Sequence, residues 1–184
     1  SPNHASGTDR VAEAARNIAC DVVINVQGDE PEIPASHVDM LIEMFQADAD
    51  LEMATLAVPI EISDAALNPN VVKVVTDAAG YALYFSRSPI PFHREEVEEG
   101  RTAFLKHLGI YGYRKPFLEK FTAWPPSPLE QAERLEQLRA VEHAVRIRVG
   151  IVERDTISID TRDDYARFAR KWLDAHDRRP QTGI

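Results

Sequence analysis

The sequence predicts an α/β protein: a doubly wound sheet that carries a β excursion near its middle. Three observations carry this. Short β-branched runs stand near each end, at Asp21–Gln27 and Ile147–Val152, and helical patterns alternate with them. A hairpin-rich stretch lies between those two alternating portions. The 184 residues, 44% apolar and 28% charged, suit one globular domain whose core needs no covalent staples.

The elements follow in order. Residues after Thr8, from Asp9 to Arg16, read as a helix with Val11, Ala14 and Ala15 on one face. Asp21–Gln27 reads as a buried strand, ended by Gly28-Asp29-Glu30-Pro31. Val38, Leu41, Ile42 and Phe45 recur at helical spacing, so a helix follows. Met53–Ile60 is the next strand. Val71–Val75, the turn Asp77-Ala78-Ala79-Gly80 and Tyr81–Ser86 form a hairpin. Glu95, Glu96, Glu98 and Glu99 mark an acidic loop that ends at Gly100. Leu108–Tyr113 is a further strand, and Phe117, Phe121 and Trp124 mark a short helix closed by Pro125-Pro126. Ser127, Pro128 and Glu130 have the spacing of a capping box with proline at the first helical position. The helix they open is expected to carry Leu129, Ala132, Leu135 and Leu138. After the strand Ile147–Val152, a last helix begins past Asp160-Thr161, with Tyr165, Phe168, Ala169 and Trp172 on one face. Arg178–Gly183 reads as a frayed tail.

Composition excludes several function classes. The single cysteine, Cys20, rules out a disulfide framework or a cysteine-rich zinc site. With 21 Lys+Arg against 30 Asp+Glu, a net charge of −9 does not fit a broad grip on nucleic acid. No apolar run approaches the ~20 residues of a membrane span. Ser1 to Gly7 has neither the basic nor the apolar part of a secretion signal, and it reads like the middle of a protein.

Asp29 is the strongest single candidate for chemistry. It stands at the end of an apolar strand and before a helix, where α/β sheets bind ligands. A plain turn is the competing reading. Asp160 repeats the arrangement, although the cap of the following helix explains it as well. Together they are two hard oxygen donors of the kind that hold Mg²⁺. His107 and Tyr111 share an alternating strand face with Tyr113, for which core packing is the ordinary role. Glu133, Glu136 and Gln137 read as a solvated helix side, and Lys73 and Arg87 as surface cations. Ser6, Gly7 and Arg10 sit at a loop-to-helix junction whose backbone N–H groups suit an anion or a nucleobase edge.

The chain resembles the 3-deoxy-manno-octulosonate cytidylyltransferases, the CMP-Kdo synthetases. The resemblance rests on H-A-S-G-T-D-R (4–10), V-I-N-V-Q-G-D-E-P (23–31), M-A-T-L-A-V-P-I (53–60) and N-P-N-V-V-K-V-V (68–75). It continues through G-Y-A-L-Y-F-S-R (80–87), H-L-G-I-Y-G-Y-R (107–114), P-S-P-L-E-Q (126–131), L-E-Q-L-R (135–139) and I-D-T (159–161). It implies a nucleotide-diphospho-sugar transferase-like (Rossmann-like) mixed sheet over one domain, 1–184, with a small β-hairpin arm for dimerisation within 68–114. The implied reaction joins CTP and Kdo to give CMP-Kdo and pyrophosphate, for lipopolysaccharide biosynthesis, in a cytoplasmic homodimer. By motif match, Asp29 and Asp160 are the implied catalytic pair and Mg²⁺ ligands. Gln27, His107, Tyr111, Glu136 and Gln137 fall where the family meets the sugar acid. Ser6, Gly7 and Arg10 fall near the cytidine, and Arg87 is an implied partner for the Kdo carboxylate.

The sequence also departs from the family. Arg162-Asp163-Asp164 stands where Pro-Glu-Asp is expected. The stretch Glu142–Arg146 is less aromatic than usual. The family's A-R-x-x-S-x-R-L-P-G-K-P loop, which holds the CTP phosphates, has no counterpart among these residues. Poor turnover and an unstable fold are therefore expected of the 184 residues alone. Two other readings are a cytidylyltransferase for another sugar acid, of sialic-acid type, and a non-catalytic module for sugar-acid binding or dimerisation.

Overall fold

The computed structural model describes residues 4, 6–28, 30–61, 64–95, 102–156, 159 and 162–177. Asp29, Asp160, Thr161, most of the acidic loop and the tail after 177 lie outside the described residues. The elements in chain order are α1 (Gly7–Ala15), β1 (Val22–Asn25), α2 (Ala35–Ala47), β2 (Met53–Glu61), α3 (Asp64–Leu67), β3 (Lys73–Thr76) and β4 (Ala82–Ser86). They continue as β5 (Thr102–Arg114), α4 (Lys115–Ala123), α5 (Pro128–Glu133), α6 (Leu138–Glu142), β6 (Ile147–Ile151) and α7 (Arg162–Asp177).

The six strands form one mixed sheet in the order β4-β3-β5-β2-β6, with β1 also paired to β5. β2 and β6 are parallel, while β1, β2 and β3 all run antiparallel to β5. The excursion expected near 68–114 is therefore continuous with the sheet, and its last strand is central. β5 is also longer than the sequence pattern predicts. Its first half, Thr102–His107, pairs with Ala57–Glu61 of β2.

One edge of β5 is shared. β3 pairs at Leu105 and Lys106, and β1 pairs at Tyr111 to Arg114. Residues 107–110 between them have no strand beside them on that edge. β1 runs toward this gap and β3 starts from it, because both are antiparallel to β5. On the opposite edge, the β2 register shifts between Thr55 and Leu56, whose partners are Tyr111 and Leu108.

The sheet is buried on both faces, as the unbroken burial of Met53–Val58 shows. Met53, Ala57, Tyr111 and Tyr113 face a cluster completed by Phe117, Leu118 and Phe121 of α4 and by Leu138. Ala54, Leu56, Leu108 and Ile110 face the other way, against Leu41 and Phe45 of α2. Arg114 donates to the Phe45 carbonyl at 2.6 Å and to the Asp48 carbonyl at 2.9 Å. These bonds satisfy acceptors that the end of α2 leaves open.

Turns behave as their residues dictate. Gly80, at φ +79°, closes the β3–β4 hairpin, and the Asp77 carboxylate accepts from the Ala79 and Tyr81 N–H groups. Of the capping box at Ser127 and Glu130, the Ser127 N–H donates to Glu130 Oε2 at 3.0 Å, while the Ser127 hydroxyl is buried without a hydrogen-bond partner among the described residues. The helix opened there does not run on to Leu138. Arg134 takes a left-handed conformation, φ 55°, and ends α5, so Leu135 and Leu138 reach the core from a corner and a separate helix. Lys73 corrects another expectation. It is fully buried, not a surface cation, and its ammonium donates to the carbonyls of Asn68, Val71 and Arg87. On α7, Tyr165 and Trp172 are largely exposed.

Phe45 sits where a side chain at Gly112 would need to be, so the missing Cβ is what lets α2 lie on β5. Gly112→Ala is expected to destabilise the fold by about 1–3 kcal/mol through overpacking. Urea unfolding measures this, and Phe45→Leu in the same chain should recover part of the loss.

Candidate active site

The unpaired stretch of β5 opens onto a cavity of about 920 Å³. Its walls come from the end of β1 (Gln27, Glu30), the approach to β3 (Asn68, Val71), β5 (His107, Tyr111) and the α5–α6 corner (Glu136, Gln137). This is the crevice beyond a strand's carboxyl end that open α/β sheets offer to ligands.

Hydrogen bonds from both edges fix this stretch of β5. The Glu30 carboxylate accepts from the Gly109 N–H at 3.1 Å and from the Thr156 hydroxyl at 2.9 Å. A Cβ on residue 109 would lie 2.6 Å from Glu30 Oε1, so glycine is needed for that approach. The His107 N–H donates to the Val72 carbonyl at 2.9 Å. Thr55 reaches across from β2, within 2.8 Å of the Ile110 carbonyl and 2.9 Å of His107 Nε2.

His107 is held edge-on to Phe85 and tilted against Tyr111, with centroids 5.1 and 5.2 Å apart. Burial pushes its pKa down to about 3, so the ring is neutral across the physiological range. Burial likewise raises Tyr111 and Tyr113, and both keep their hydroxyl protons. At the α5–α6 corner, Thr8 donates to Glu136 Oε2. Arg139 forks onto Glu130 at 2.7 and 2.6 Å and stands 3.7 Å from Glu136 Oε1. Burial opposes the Glu130 charge, but the Arg139 hydrogen bonds, the Ser127 N–H and the Arg139 charge together outweigh it and hold the carboxyl below its usual range. Among the described residues, Glu136 Oε1 and Gln137 Nε2 are buried at the cavity wall without a hydrogen-bond partner. An acceptor and a donor left open side by side suit a ligand rich in hydroxyls.

The structure thus brings together Gln27, Arg87, His107, Tyr111, Glu136 and Gln137 around one cavity. Arg87 does more than face it. Its guanidinium donates to the carbonyls of Glu133, Pro69 and Arg134, which ties the β4 end to the α5–α6 corner. Glu133, expected in a solvated face, accepts from the Ser86 hydroxyl and the Arg87 N–H. Ser6, Gly7 and Arg10 are not among the lining residues. Ser6 and Asp9 close a capping box on each other, so those N–H groups are already used. Thr8, Glu30 and Thr55 were not singled out for this site by sequence, because each acts through a partner distant along the chain.

Asp29 and Asp160 lie outside the described residues, and no cluster of three or more metal-binding side chains occurs among the described ones. Two carboxylates are hard oxygen donors, a chemistry that fits Mg²⁺.

A family model described as cytidylyltransferase matches residues 1–147. The 3-deoxy-manno-octulosonate cytidylyltransferase of Chloroherpeton thalassium is 53% identical over 167 residues, covering 90% of this chain and 67% of that protein. The chain belongs to this family. The protein of the same name from Koribacter versatilis is 50% identical, over 91% of this chain and 62% of its own length. A solved CMP:2-keto-3-deoxy-manno-octonic acid synthetase complexed with CTP superposes with a TM-score of 0.85 at 39% identity, covering 94% of this chain and 70% of that one. The chain thus spans roughly two thirds of the length of these relatives. No helix among the described residues is long and apolar enough to cross a membrane.

The neutral His107 carries a sign for stability. Its unfolded form takes up a proton below its ordinary 6.5, while the folded form resists until about 3. Acidification therefore favours the unfolded chain from pH 6.5 downward. Burial lowers His37 in the same direction. His107→Gln is expected to remove about 1–2 kcal/mol of the stability lost between pH 6.5 and 5. Urea unfolding of both proteins at the two pH values checks this.

Proposed function

We propose that this chain supplies the sugar-acid side of a site that transfers CMP from CTP to 3-deoxy-D-manno-octulosonate (Kdo), releasing pyrophosphate. The observation that carries the reading is the pair of open polar atoms, Glu136 Oε1 and Gln137 Nε2, in a cavity built from the family's own motifs. Family membership supplies the reaction. The anomeric hydroxyl of Kdo attacks the α-phosphorus of CTP in line, the new P–O bond forms, and pyrophosphate departs.

The residues then divide the work. Gln27, Glu136 and Gln137 orient the sugar hydroxyls, with His107 and Tyr111 as neutral partners. Arg87 keeps part of its fork of donors for the sugar carboxylate while it braces the wall. Asp29 and Asp160 would hold Mg²⁺, which offsets charge on the phosphates as pyrophosphate leaves. Ser6, Gly7 and Arg10 are assigned to the cytidine by motif alone. A cytoplasmic place in lipopolysaccharide biosynthesis follows the family. Pairing of two copies through the 68–114 region is supported by exposed Leu83 on edge strand β4 and exposed Phe92 beyond it.

Calorimetric titration with Kdo and with N-acetylneuraminic acid tests the reading. Kdo should bind and the nine-carbon acid should not, and Glu136→Gln should weaken Kdo about tenfold. Equal or better binding of N-acetylneuraminic acid would sink the Kdo assignment. For the metal, Mn²⁺ titration followed by electron paramagnetic resonance should show a bound ion that Asp29→Asn loses, with the melt unchanged.

A further inference from the structure

We propose that Thr55 is a positioning residue for sugar-acid recognition: it fixes His107 as the Nε2–H tautomer, so that Nδ1 meets a hydroxyl of the substrate as an acceptor. The recognition half of this rests on the reading of the cavity as the Kdo site. The tautomer half rests on the protein's own hydrogen bonds.

Thr55 is fully buried on β2. Its hydroxyl oxygen lies 2.8 Å from the Ile110 carbonyl, 3.3 Å from the Leu108 carbonyl and 2.9 Å from His107 Nε2. A threonine hydroxyl has one proton and can accept two bonds. If that proton went to His107, the hydroxyl oxygen would face the Ile110 carbonyl at 2.8 Å with no hydrogen between them, which is repulsive. The proton therefore goes to Ile110, and His107 Nε2–H donates to Thr55. A neutral imidazole that donates at Nε2 accepts at Nδ1.

The carbonyl that forces this choice comes from the β5 irregularity. The register of β2 against β5 jumps from Thr55–Tyr111 to Leu56–Leu108, which sends the carbonyls of Leu108 and Ile110 toward the Thr55 hydroxyl. The ring cannot easily turn to offer its other nitrogen, because Phe85 and Tyr111 grip it on two sides. Nδ1 has no hydrogen-bond partner among the described residues, and it is not a sealed atom, since His107 lines the cavity and keeps partial exposure. What remains open at that nitrogen is a lone pair. A hydroxyl can donate to it, while a carboxylate oxygen or a bare carbonyl would be repelled. The device therefore discriminates by hydrogen-bond polarity and not by charge.

The experiment uses the chain with ¹⁵N-labelled histidine. Long-range ¹H–¹⁵N spectra of the free protein at neutral pH report the His107 tautomer, and titration reports Kdo affinity. The wild type should show His107 as Nε2–H. Thr55→Ser, which keeps the hydroxyl, should keep both the tautomer and the affinity within about threefold. Thr55→Val, close in shape, should lose the fixed Nε2–H signature and weaken Kdo about tenfold. An Nδ1–H tautomer in the wild type overturns the proposal, as does Thr55→Val that keeps Nε2–H and full affinity. If Thr55→Val fails to fold, Thr55→Ser decides: the same signature as wild type supports the device, and a lost signature overturns it. Failure of the wild type to bind Kdo is a different result. It removes the recognition role together with the function reading, while the tautomer spectrum is read without any ligand.

Discussion

The constraint on which the site depends is the stretch of β5 that has no strand on one edge. A strand interior must satisfy its N–H and C=O groups, and in most sheets a neighbouring strand does so. Here β3 leaves at Lys106 and β1 arrives only at Tyr111. Groups outside the strands complete the pairing instead, with the Glu30 carboxylate on the Gly109 N–H and the Val72 carbonyl on the His107 N–H. Had β1 and β3 met without a gap, the sheet would be continuous and no cavity would open at that edge. The gap is also what leaves Gln27 and Glu30, just after β1, on the cavity wall.

Charge follows from that geometry. The cavity is polar, yet its aromatic wall is held neutral by burial, with His107 lowered to about 3 and both tyrosines raised. The fixed charges stand where they are paired, as in Arg139 on Glu130 and Lys106 on Asp155 at 2.7 Å. A pocket built in this way reads its ligand by hydrogen-bond direction.

Much of the fold was legible because its signals are local. The β-branched run before Gly28, the proline-capped start at Ser127-Pro128 and the Asp77–Gly80 turn each specify themselves within a few residues. The expected continuation from α5 to Leu138 failed at Arg134, since no residue type there announces a left-handed bend in the way that glycine would. Lys73 failed for a different reason. A lysine is nearly always a surface residue, and only tertiary structure shows three carbonyls waiting for its ammonium. The cavity residues His107, Tyr111, Glu136 and Gln137 were found through whole-chain motif resemblance. Spacing alone favoured core or solvated roles for every one of them.

The bonds that build the site explain why spacing was insufficient. Glu30 meets Thr156 across 126 positions, Thr8 meets Glu136 across 128, and Glu30 meets Gly109 across 79. The hairpin and the helix caps, by contrast, close within a few residues. Loop-closure entropy grows with separation, so contacts of this length are stable only once the sheet already holds both ends near each other. The site is thus a consequence of the finished sheet, not a nucleus for it. A substitution such as Glu136→Gln consequently acts on recognition with a small effect on folding. Substitutions where α2 rests on the sheet, such as at Gly112, act on the frame that every one of these long bonds requires.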